Sequence, residues 1–170
     1  MSRAKGNSRA RLARGFDFAA HTLHKQSWML LSSVPKGTHT DPVMLKTVES
    51  SLGCTFGSMV LQSFSVELIL KSILIRLGIS PPKHHNLAKL FALLPENIRE
   101  AAERNYVRII GTSTKNMDVL SDALSKSLQQ NSNTFEEFRY MDEHCPQHAR
   151  IGELQNAFTA LHEIFMHDPS

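Results

Sequence analysis

Between Ser65 and Gly78 the chain steps through Val66, Ile69, Leu70, Ile73, Leu74 and Leu77, an apolar stripe with the three-and-four spacing of one helix face. Glu67 and Lys71 stand off that stripe, four residues apart, with the acid N-terminal to the base as a helical ion pair prefers. Gly78 can take the left-handed backbone conformation that ends a helix, and Pro81-Pro82 forbids its continuation. A segment so periodic and so firmly closed commits its surroundings to helix packing. The same period recurs elsewhere in the chain, while the alternation of a strand is nearly absent.

Leu12, Phe16, Ala19 and Leu23 mark a first helix continuing toward Leu30, with Trp28 expected in its core. Pro35, Gly37 and Pro42 break it. A long second helical stretch follows, with interruptions expected at Gly53 and Gly57. Asn86 is placed to cap a short helix carrying Leu87, Leu90, Phe91 and Leu94. Pro95 starts the next, with Ile98, Ala102 and Ile109, and a loop over 111–116 ends it. Met117, Leu120, Leu124 and Leu128 form another periodic set. Thr134 and Glu137 have capping-box spacing, so a helix is expected from Phe135 until Pro146 ends or kinks it. Ile151, Leu154, Phe158, Leu161 and Phe165 mark the last helix. The fold expected is all-α: one helical domain over residues 12–170, preceded by a basic arm over residues 1–11.

The arm is the only marked charge asymmetry. Arg3, Lys5, Arg9, Arg11 and Arg14 all precede the first acid, Asp17, whereas the net charge of +3 is too small to argue for nucleic acid by itself. Such an arm either touches phosphate or a membrane surface, or is a solvated, frayed terminus. The most apolar segment, residues 64–79, contains Glu67, Lys71 and Arg76, so a core helix is expected rather than a membrane span. Cys54 and Cys145 form neither a disulfide framework nor a zinc spacing, and reduced, cytoplasmic thiols are the plain reading. His84, His85, His144 and His148 show no ligand spacing with supporting carboxylates. A glycine-rich phosphate loop, a G-x-S-x-G elbow and an H-E-x-x-H pair are all missing, so no cofactor or metal is expected.

Two blocks carry a resemblance. The first is Ser65-Val-Glu-Leu-Ile-Leu-Lys-Ser-Ile-Leu-Ile-Arg-Leu-Gly78, followed by Lys83-His-His-Asn-Leu-Ala-Lys-Leu-Phe-Ala-Leu-Leu-Pro95. The second is Phe135-Glu-Glu-Phe-Arg-Tyr-Met-Asp-Glu143. In order and spacing they resemble bacterial HEPN-domain proteins over about residues 60–143. His84 stands where such proteins carry glycine, Asn86 where they carry aspartate, and Phe138 where tryptophan is common. The resemblance implies a four-helix core, usually dimerised about a two-fold axis. It also implies action on RNA: many members are metal-independent ribonucleases of toxin or defence systems. Others are non-catalytic modules that bind RNA, a nucleotide or a protein partner such as a minimal nucleotidyltransferase.

The nuclease signature in that family is an arginine followed, after four to six residues, by a histidine. Arg139 and His144 fit it. Chance alone supplies roughly one or two such matches in a chain of this composition, and Arg14 with His21 is a second. Only its place in the second block gives the Arg139–His144 pair weight. Tyr140 follows the arginine where active relatives carry a small polar residue. On a continuous helix the two side chains would point about 140° apart, so convergence needs a helix end, a bend or a second subunit. The competing reading pairs Arg139 with Glu136 or Glu143 and leaves His144 at a helix C-terminus. Glu67, Lys71 and His85 are binding candidates. The first two either line an RNA groove, orient a catalytic arginine, or form a solvated or interhelical salt bridge, and the third either meets phosphate or fixes its turn.

Overall fold

The computed structural model describes residues 2–35, 41–111, 122–132 and 151–167. Among them are α1 (Ser2–Ser32), α2 (Pro42–Arg76), α3 (Leu87–Ala92), α4 (Glu96–Ile109), α5 (Ala123–Gln130) and α6 (Ile151–Met166), with no strand. The fold is all-α, and the described residues form four long helices and two short ones.

The two longest helices form an antiparallel pair whose contact surface is built from small residues at intervals of seven. On α1 they are Gly6, Ala13, Ala20 and Ser27; on α2 they are Ser51, Ser58, Ser65 and Ser72, and all eight are buried. A β-carbon on Gly6 would lie 3.4 Å from the Ser72 carbonyl oxygen, and Ser27 Oγ is 2.9 Å from Ser51 Oγ. That register carries Ala13 toward Ser65 and Ala20 toward Ser58. Side chains this small let the two backbones approach closely. The serines tolerate burial because their hydroxyls donate to carbonyls of their own helix: Ser58 to Thr55, Ser65 to Gln62 and Ser72 to Leu68. Between the small residues, Gln62 Nε2 donates to Asp17 Oδ1 at 2.9 Å.

This packing corrects several sequence expectations. The inward face of α1 is offset from the stripe drawn through its larger apolar residues. Leu12 is exposed, and Trp28, expected in the core, is 70% exposed because Ser27 occupies the inward position there. No interruption occurs at Gly53 or Gly57, since α2 is continuous from Pro42 to Arg76. The expected boundary after residue 11 falls inside α1, so the basic segment is helical and carries the buried Gly6 and Ala10. By length and composition alone α2 could also cross a bilayer. Two-thirds of its most apolar window is nevertheless buried among neighbouring residues, as in a core helix.

The apolar stripe of α2 faces the rest of the bundle. Val66, Ile69, Leu70, Ile73 and Leu74 pack in one cluster with Leu90 and Phe91 of α3, Ile98 and Ala102 of α4, Leu124 and Leu128 of α5, and Leu154, Phe158 and Leu161 of α6. Asp41 caps α2 by accepting from the Val43 amide, with Pro42 in the first turn. At its other end Gly78 has φ +75°, and the Gly78 and Ile79 amides donate back to the carbonyls of Ile75 and Leu74. Asn86 caps α3 as expected, accepting from the Lys89 amide at 2.9 Å. The cap of α5 comes from another helix. Glu103 of α4 accepts from the Leu124 and Ser125 amides at 2.7 and 2.8 Å, while burial raises its pKa above the ordinary carboxylate value.

Filling the α1–α2 contact should be costly. Ala20→Leu is expected to lower unfolding free energy by about 1–3 kcal/mol in urea denaturation, because the added volume has nowhere to go. Gly15→Ala, on the exposed face of the same helix where a β-carbon meets nothing within 4 Å, should raise it by about 0.5–1 kcal/mol.

Candidate functional site

Lys71 lies one turn after Glu67 on α2, and its Nζ donates to Glu67 Oε1 at 2.7 Å. Their side chains are only 11% and 7% exposed, so this is a buried ion pair and not a solvated one. Burial follows from position, for α1 covers one side of this turn of α2 and the returning chain covers another. The left-handed Gly78 reverses the backbone, Pro81-Pro82 extends it, and the Asn86 cap anchors its far end on α3. His85 is thereby held beside α2, its Nδ1 2.9 Å from Glu67 Oε2.

The structure thus brings Glu67, Lys71 and His85 together around one carboxylate, each of whose oxygens has a partner. An ionised carboxylate only accepts hydrogen bonds, so Nδ1 of His85 carries the proton and donates. The contact fixes the orientation of the imidazole. Burying charges this completely is costly, and engaging both carboxylate oxygens offsets part of that cost.

The network forms one wall of an open cleft of about 770 Å³ between the start of α1, the last turns of α2 and the segment after Gly78. Arg9, Lys71 and Lys83 line it with Glu67, and Ile75 and Pro81 supply apolar surface. Three cations against one acid give it a positive character. Arg9 and Lys83 were not singled out from the sequence. The signal for Arg9 was the seven-residue spacing of small residues that sets the phase of α1; for Lys83 it was only adjacency to the His84-His85-Asn86 turn.

Arg139 and His144 lie outside the described residues, as do Glu136, Tyr140 and Glu143. The other arginine–histidine match is within them. Arg14 and His21 stand seven apart on continuous α1, hence on nearly the same face. His21 Nδ1 lies 3.3 Å from Gln155 Nε2 of α6. On α6, His162 stacks on Phe158, with ring centroids 5.6 Å apart. Burial depresses the His162 pKa below the ordinary histidine value, and the Arg14 charge depresses it further.

A family model for the HEPN domain matches residues 58–150, just over half of the chain. The matched region holds Glu67, Lys71, Lys83 and His85 as well as Arg139 and His144; Arg9 and the rest of α1 fall outside it. No curated protein and no solved structure matches.

Two expectations follow from these charges. Glu67→Gln leaves the Lys71 ammonium buried against a neutral partner and should cost about 3 kcal/mol in urea unfolding; adding Lys71→Met should recover most of it. Because the folded pKa of His162 is depressed, the folded state binds fewer protons than the unfolded chain below the ordinary histidine pKa. Its contribution is therefore complete above that value and is lost as pH falls through the folded one. A pH series of urea midpoints should show this decline, and His162→Gln should flatten it.

Proposed function

The chain belongs to the HEPN-domain family, and from that premise we propose that it acts on RNA as a metal-independent endoribonuclease. The observation that carries this reading is the span of the family match, which takes in both the buried network at the cleft and the Arg139–His144 pair. In this reading the two residues are catalytic, and Glu67, Lys71 and His85 hold the RNA-facing wall of the cleft in place.

The chemistry asks little more of the protein. Neutral His144 takes the proton from a 2′-hydroxyl as that oxygen attacks the adjacent phosphorus. Arg139 donates fork-like hydrogen bonds to the phosphorane oxygens as their charge grows. The bond to the 5′-oxygen breaks, and the protonated His144 of a second copy supplies the leaving oxygen with its proton. The products are a 2′,3′-cyclic phosphate and a 5′-hydroxyl. DNA is inert because it lacks the nucleophile. Exposed apolar side chains on α1, Phe18 and Trp28 among them, support a homodimer by offering surface for a second copy. A cytoplasmic toxin or defence role fits this activity.

Tyr140 favours a second reading, because a bulky aromatic follows the arginine where active relatives carry a small polar residue. The protein is then a non-catalytic module that binds RNA, a nucleotide or a protein partner such as a minimal nucleotidyltransferase. Incubation of purified protein with several RNAs in EDTA separates the two. Cleavage to cyclic-phosphate ends is expected, falling at least about 100-fold in His144→Ala, as loss of a general acid–base does. Unchanged cleavage by that variant removes His144 from the mechanism, and no cleavage by the wild type leaves the binding module.

A further inference from the structure

We propose that the cleft between α1, the end of α2 and the segment after Gly78 is a phosphate-binding site, taking the phosphate of a nucleotide or of an RNA strand. This rests on the RNA reading only for the second of those sources. It adds Arg9 and Lys83 as ligands, and Arg9 comes from a helix outside the family match.

Charge is the first reason. Arg9, Lys71 and Lys83 come from three separate segments and meet at one cleft. The acid among them, Glu67, is already engaged through both oxygens by Lys71 and His85. Neither Arg9 nor Lys83 has an ion pair among the described residues. Like charges drawn together repel one another, and an anion shared between them removes that repulsion. Lys71 is about nine-tenths buried and spends one hydrogen bond on Glu67, while an ammonium group has three to give.

Placement is the second. A helix C-terminus repels anions through its unsatisfied carbonyls, and α2 ends at this cleft. Three of the last four carbonyls of α2 are occupied, however: those of Ile73, Leu74 and Ile75 accept from the amides of Leu77, Ile79 and Gly78, respectively. The antiparallel α1 brings its N-terminal, electropositive end to the same place, with Gly6 against Ser72. The volume of about 770 Å³ is within the usual range for small-molecule sites, and Ile75 and Pro81 offer apolar surface to a ribose and base.

The site is tested on the full chain with three probes: inorganic phosphate and 5′-AMP by calorimetric titration, and a fluorescein-labelled single-stranded RNA by anisotropy. Arg9→Gln and Lys83→Gln remove cleft charges without touching the apolar core, and Arg104→Gln removes an exposed cation elsewhere. Each cleft variant is expected to weaken 5′-AMP binding about 5- to 20-fold, with Arg104→Gln unchanged and thermal melts superimposable. If RNA uses the cleft, 5′-AMP competes with it, and each cleft variant lowers the salt slope of RNA binding by about one. Wild-type affinity in both cleft variants, an equal loss in Arg104→Gln, or no binding of any probe overturns the site. RNA binding that ignores the cleft variants, with no cleft-dependent binding of 5′-AMP, sinks the site and spares the RNA reading. Binding of 5′-AMP that depends on the cleft, with no RNA binding, sustains the site and sinks the RNA reading.

Discussion

Everything in this molecule is referred to the close approach of α1 and α2. Two helices of 31 and 35 residues lie antiparallel with glycine, alanine and serine at their shared surface every seventh residue. Such a contact gains little from each side chain, since small residues bury little apolar area, and gains instead from many backbone atoms held at packing distance. It is also unforgiving, because no bulky residue fits at those positions. Where the apolar cluster around Val66 to Leu74 ends, a hydroxyl cluster of Ser27, Ser51 and Thr55 takes over, with contacts of 2.6 to 2.9 Å. The distal half of the pair is thus joined by hydrogen bonds more than by apolar burial.

The buried charges depend on that pairing. Glu67 and Lys71 are removed from water because α1 and the returning segment close over α2 on different sides. His85 completes the carboxylate's hydrogen bonds. Such a network adds little to stability, because taking the charges out of water costs about as much as their attraction returns. Its position at the wall of a cleft with two further cations is what gives it functional interest.

Much of the helical layout was legible in the sequence because its signals are local. The stripe from Val66 to Leu77, the stop at Gly78, the cap at Asn86 and the start at Pro95 each need only a few neighbouring residues. The inward face of α1 is not legible in its large apolar residues, since the tight pair selects small ones; Trp28 is outward for that reason. Glu67, Lys71 and His85 stood out in separate blocks. Their meeting depends on a reversal at Gly78 and an extension through two prolines, which no periodicity encodes. Arg9 was legible only as part of a basic run, because its placement follows from the phase of a helix set by partners some sixty residues away. The arginine–histidine spacing was easy to see and hard to weigh, because a chain with this many of both residues matches it by chance.

The seven-residue register makes the two helices behave as a ruler with fixed graduations, and this sets where the chain can tolerate changes of length. Between Ser32 and Pro42, added residues cost only the slowly growing entropy of a longer connection. Within α1 a single deletion turns everything on one side of it by about 100° relative to the other and shifts it by 1.5 Å. Near residue 15 such a change would leave Ala20 and Ser27 in phase while rotating Gly6 out of contact and Arg9 away from the cleft. One missing residue would then set Leu12 where Ala13 meets α2, so the fit of the pair and the charge of the site would fail together, without altering any residue that lines the cleft.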